Sequence, residues 1–99
     1  MARVELLPGV YEDLRRAVDH LEQHEAVHVQ ARLGELVSAF DVLTDNPMIG
    51  RPVGKERNEL VIGRGSRGYV ALYQYVTMVD TVFVLAVRAQ REGGYVRHE

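Results

Sequence analysis

The stretch Thr81 to Ala89, TVFVLAVRA, is apolar on both of its alternating faces, with Val82, Val84 and Ala86 on one and Phe83, Leu85 and Val87 on the other. A strand with one face in water alternates apolar with polar residues, so this one is central in its sheet or covered. The rest of the chain must supply its neighbours and its cover. Tyr69 to Thr77 is the first neighbour: Met78-Val79-Asp80 is short enough to join the two as an antiparallel hairpin. Tyr69, Ala71, Tyr73, Tyr75 and Thr77 share one of its faces, and Val70, Leu72 and Val76 the other. Glu59 to Ile62 reads as a third strand, joined to it through Gly63 to Gly68.

The cover comes from the N-terminal half. Val10, Leu14, Val18 and Leu21 recur at the helical interval, as do Val29, Leu33, Leu36, Val37, Phe40 and Leu43. One helix from Pro8 to Thr44 would run roughly 55 Å at ~1.5 Å per residue, longer than the ~35 Å diameter of a domain of this length. It must break, and the most polar part, Glu22 to His28, places the turn of an αα-hairpin there. Arg3 to Leu7 alternates as a short strand that Pro8-Gly9 ends, and Asp45-Asn46-Pro47 stops the second helix. Met48 to Glu56, rich in Gly, Pro and charge, is the one long loop. The expected fold is a single α+β domain over residues 1–99: an N-terminal strand, an αα-hairpin and a three-stranded antiparallel meander on which the hairpin packs.

Two motifs have familiar letters in the wrong setting. His24-Glu25-Ala26-Val27-His28 has the HExxH spacing that puts two imidazoles on one helical face for zinc. A turn between His24 and His28 removes that geometry, and an earlier turn keeps it but leaves it without the third protein ligand that a catalytic zinc needs. His20 and His98 are the remaining histidines, one upstream on the first helix and one at the chain end. Gly63-Arg64-Gly65-Ser66-Arg67-Gly68 matches GxGxxG, but a dinucleotide loop must open a helix whose N-terminus holds the pyrophosphate, and this one opens a strand. Its glycines serve a tight bend that exposes Arg64 and Arg67. No metal and no cofactor is expected.

With 46% apolar and 26% charged residues the chain has the composition of a soluble globular domain, and without cysteine it can form neither disulfides nor thiolate metal sites. No apolar run has transmembrane or signal-peptide length, which points to the cytoplasm. The net charge of -2 hides a division: residues 1–50 carry four arginines against nine acids, a balance of -5, and residues 51–99 eight cations against five acids, a balance of +3. A basic C-terminal half suits nucleic acid or an acidic polypeptide; a solvated surface gives the same pattern.

The order of a strand, a helical hairpin, NPMIGRPV, ELVIG, SRGYVALYQY, DTVFVLAVRAQ and QREGGY resembles the RelE/ParE superfamily of bacterial type II toxins over nearly the whole chain. Asn46 to Val53, Gly68-Tyr69 with Tyr73, and Val84 to Tyr95 carry most of the likeness. The resemblance implies a small cytoplasmic toxin, linked with plasmid stabilisation and growth arrest, that a cognate antitoxin wraps and neutralises in a heterotetramer or higher assembly. RelE-like members cleave mRNA on the ribosome, and ParE-like members inhibit DNA gyrase. Cleavage needs a group to activate a 2′-hydroxyl, positive charge for the phosphorane and a proton donor for the leaving oxygen. RelE-like lysines would fall near Val61 and Gly63, and an arginine on Val70, so those three are lost. Arg67 can substitute in part, and Arg88 or Arg91 with Tyr95 matches the C-terminal pair. The chain is thereby closer to ParE: a gyrase-binding protein and no enzyme itself, with Arg64, Arg67, Arg88, Arg91 and Tyr95 as target contacts. The alternatives are a ribosome-dependent endoribonuclease with Arg67, Arg88, Arg91 and Tyr95 as its catalytic candidates, or an inactive toxin-fold binding module. A plainer role stands beside each residue: an ion pair with an acid across the sheet for Arg88, packing of the tail for Tyr95, and solvation for Arg64 and Arg67.

Overall fold

The computed structural model describes residues 1–24, 26–63, 68–92 and 94–95. Strand β1 (Arg3–Leu6) leads into helix α1 (Pro8–His24), with Pro8 in the first turn, where its missing N–H costs nothing. α1 stops at His24, a 3-10 turn occupies Ala26–His28, and α2 runs over Val29–Asp45. The break therefore falls inside HEAVH, within the Glu22 to His28 window that polarity indicates. The aromatic contact in this region is between His20 and His24, with ring centroids 4.6 Å apart.

After α2 come β2 (Arg51–Pro52), β3 (Asn58–Ile62), β4 (Tyr69–Val76) and β5 (Thr81–Ala89), with a 3-10 turn over Thr77–Val79 and Asp80 in the left-handed region at φ 47°. The five strands form one sheet in the order β1-β5-β4-β3-β2. β1 pairs with β5 in parallel, and the other neighbours are antiparallel. The expected meander is β3-β4-β5, and pairing with β1 sets β5 inside the sheet, one of the two ways to bury both its apolar faces. β2 is the addition: a two-residue edge strand in the segment expected to be a loop, paired Arg51 to Glu59 and Pro52 to Asn58. Proline is tolerated there because an edge strand has one side without a ladder.

The helices cover one face of the sheet. Val10 from α1 and Leu36 and Leu43 from α2 pack on Tyr69, Ala71, Tyr73, Val82, Val84 and Val87. Leu36 and Leu43 are 1% and 0% exposed, and burial of each leucine contributes roughly 1.5–3 kcal/mol. Val37, which the helical spacing groups with them, is 60% exposed instead. Gly50 ties the β2 side to this core: its N–H donates to the Tyr73 hydroxyl at 2.8 Å. Among the described residues no helix is long and apolar enough to cross a membrane.

Strict alternation fails at one place in β5. Leu72 pairs with Ala86 but Tyr73 pairs with Val84, so Leu85 is an extra residue, a β-bulge. Leu85 and Ala86 both pack on the face away from the helices, with Leu72, whereas Val87 turns to the helix side. This reverses the faces that alternation assigns to Ala86 and Val87. It also decides where the next residue, Arg88, can go.

Candidate functional site

By alternation from Val84, Arg88 would point into the helix-covered core. The bulge turns it to the opposite face, where it pairs across β4 with Val70. On β3, Leu60 and Ile62 face the helix-side core, which leaves Glu59 on the same far face, in register with Leu72. β2 adds Arg51 directly beside Glu59. The chain after β5 then brings Tyr95 onto the apolar surface of Leu72, Leu85 and Ala86. Four side chains from four segments meet there.

Glu59 is the centre. Its Oε2 accepts the Tyr95 hydroxyl proton at 2.7 Å, and its Oε1 accepts Arg51 Nη2 at 2.9 Å and Nε at 3.3 Å. Arg88 Nη2 lies 3.9 Å from Oε2. The Arg88 guanidinium carbon stands 5.2 Å from the centre of the Tyr95 ring, within cation–π range. Its other terminal nitrogen donates to the carbonyls of Ala89, Gln90 and Glu92 at 3.2, 3.3 and 2.8 Å, which closes the end of β5. The side chains of Glu59 and Arg88 are 9% and 14% exposed, and that of Arg51 is 63% exposed.

These surroundings set the protonation states. Burial pushes the Glu59 carboxyl up, but the hydrogen bonds from Tyr95 and Arg51 and the charges of Arg51 and Arg88 more than offset it, so its pKa lies below the ordinary carboxylate value. Burial pushes Tyr95 well up, and the adjacent Glu59 carboxylate pushes the same way. At neutral pH the cluster is an ionised carboxylate, a neutral phenol and two guanidinium groups. A proton acid or base works best when its pKa is near the operating pH, and both of these are displaced away from it. Arg51 is left as the accessible cation, and Tyr95 and Arg88 are held on the sheet.

Of the residues expected at a site, Arg88 and Tyr95 are brought together. Arg91 is turned toward α1, with Nη2 3.4 Å from Nδ1 of His20. Arg64 and Arg67 lie outside the described residues. The ion pair with an acid across the sheet and the packed tail, the plainer roles of Arg88 and Tyr95, are both present. Sequence reasoning missed Glu59 and Arg51. Glu59 had a signal, being the acid on the β3 face opposite Leu60 and Ile62; Arg51, in a two-residue strand, had none.

A family model described as the ParE toxin of the type II toxin–antitoxin system, parDE, matches residues 4–93. Among solved structures, a chain of the intact E. coli RelBE toxin–antitoxin complex is similar at 17% identity and a TM-score of 0.62, over 93% of this chain and 100% of that one. The isolated E. coli RelE toxin is similar at 18% identity and a TM-score of 0.61, over 94% of this chain and 89% of that one. At such identities the likeness concerns the fold. No curated protein matches the chain.

Proposed function

This chain belongs to the ParE toxin family of type II toxin–antitoxin systems, and from that premise we propose that it arrests growth by binding DNA gyrase rather than by cutting RNA. The observation that carries the choice of target is the Glu59 cluster. RNA cleavage by a 2′-hydroxyl asks for a base ready to take a proton and an acid ready to give one. Here the carboxylate is stabilised in its ionised form, and the phenol gives its hydrogen bond to that carboxylate. The same cluster suits a binding surface: a fixed aromatic ring and guanidinium with an accessible arginine at the rim, the residue types that dominate protein interfaces. On this reading Arg51, Arg88 and Tyr95 contact the target, with Arg64, Arg67 and Arg91 as further basic contacts on the C-terminal half.

The partner that neutralises the toxin is a cognate antitoxin, as in the RelBE complex, and the basic half favours an acidic antitoxin segment that folds on binding. A structure of the pair is expected to bring that segment to Arg67 or Arg88. The endoribonuclease reading keeps support from the RelE-like fold and from the pairing of Arg88 with Tyr95. Purified protein at micromolar concentration should inhibit gyrase supercoiling, and primer extension on translated mRNA should find uncut transcripts. Unimpaired supercoiling together with cut transcripts would move the assignment to the ribosome.

A further inference from the structure

On the helix side of the sheet, where β1 has ended and α1 crosses the last residues of β5, lies a cavity of about 300 Å³. It is apart from the Glu59 cluster, and Arg88 is the one member of that cluster that borders it. Its acidic groups are engaged. Asp13 accepts the Val87 N–H at 2.9 Å through one oxygen and Arg16 at 3.2 Å through the other, while Glu92 accepts the Ala89 N–H at 2.8 Å. Its cationic groups have capacity to spare. A guanidinium carries five N–H donors; among the described residues Arg16 gives one nitrogen to Asp13, and Arg91 one to His20. The wall between them is apolar, formed by Ala17, Val87 and Ala89.

We propose that this cavity is a binding site for a phosphomonoester, with the phosphate held between Arg16 and Arg91 beside His20 and the body of the ligand on the apolar wall. Arg91 and the N–H donors that Arg16 does not give to Asp13 can face the phosphate oxygens, and paired guanidinium donors are the means by which arginine binds phosphate best. A bare anion would leave the apolar wall unused, and the volume is at the lower end for small-molecule pockets, so the body is small. The site lies apart from the Glu59 cluster, its phosphate-holding groups share only Arg91 with the target contacts proposed above, and the titration below needs no target.

The test is calorimetric titration of the purified chain with adenosine 5′-monophosphate, glucose 6-phosphate, inorganic phosphate and adenosine. Saturable binding is expected for the two phosphomonoesters, at least about tenfold tighter than for adenosine, since a charge-assisted hydrogen bond is lost without the phosphate. The tighter of the two identifies a nucleotide or a sugar phosphate as the source. Substitution of Arg16→Gln with Arg91→Gln should weaken binding by about tenfold or more. Arg91→Gln alone, which leaves Asp13 its partner, gives the same direction if the double variant does not fold. Absence of saturable binding by the folded protein, equal affinity for adenosine, or unchanged affinity in Arg91→Gln would each overturn the proposal.

Discussion

Replacing Tyr95 with Phe removes one hydroxyl and leaves the ring on Leu72, Leu85 and Ala86 and beneath Arg88. What is lost is a 2.7 Å hydrogen bond to a carboxylate that is 9% exposed. Bonds to charged groups contribute about 1.5–3 kcal/mol; because Tyr95 is only half-buried, the lower end applies, about 1.5 kcal/mol. For a domain of this length that corresponds to a fall in Tm of roughly 6–12 °C. The loss should depend on pH at both ends. Glu59 has a folded pKa below its ordinary value, so the stability it contributes is present above the unfolded pKa and disappears as pH falls through the folded one. Tyr95 has a folded pKa above its ordinary value of 10.0. Above pH 10 the unfolded phenol ionises first and the wild-type protein loses stability, whereas Phe has nothing to titrate. Urea unfolding of both proteins, followed by circular dichroism from pH 3 to pH 11, should give a difference that is largest between about pH 5 and 9 and closes on either side. A difference below about 0.5 kcal/mol at pH 7, or one that is flat down to pH 3, would refute the assignment of Tyr95 as a charge-assisted donor to Glu59.

A Cβ on Gly50 would lie 2.6 Å from the Glu59 carbonyl oxygen and 2.8 Å from the Tyr73 ring, so Gly50→Ala should cost about 1–3 kcal/mol by overpacking, measured by urea unfolding. Removing the Asp13 carboxylate with Asp13→Ala strands the Val87 N–H beyond the end of β1; the expected loss is at least about 1–3 kcal/mol, with faster hydrogen exchange at that amide. Leu43 is 0% exposed under the sheet, and Leu43→Ala should cost about 2–5 kcal/mol in the same measurement, a loss under about 1 kcal/mol contradicting its place in the core.

The two sides of the end of β5 divide the work between the open face and the helix layer. β1 pairs only with Thr81 to Val84, so the ladder on that side stops and Val87 would be left with an unmet N–H. α1 supplies the acceptor from Asp13, whose side chain is 1% exposed. This fixes the strand just past the bulge, and the bulge fixes the face of Arg88. A change at Asp13, on a helix, would therefore reach the open face through the backbone of β5.

Much of the fold was legible because it rests on periodicity, which is local. The helical stripes of Val10 and Leu21 and of Leu36 and Leu43, the break between Glu22 and His28, the positive φ of Gly63 at 80° and the burial of TVFVLAVRA on both faces all follow from spacing and turn chemistry. Arg88 and Tyr95 were legible as candidates by resemblance. What they do on the sheet was not. The extra residue in β5 and the two-residue pairing of Arg51 leave no local pattern, because both depend on register with a partner strand. Glu59 likewise has nothing in its own neighbours to reveal Arg51, Arg88 and Tyr95, which come from segments 8, 29 and 36 positions away in number. The sequence by itself determined the two helices, every strand but β2, and that β5 is buried on both faces. Tertiary structure decided which face each charged group occupies, since the direction of a side chain at the end of a strand depends on every register shift before it.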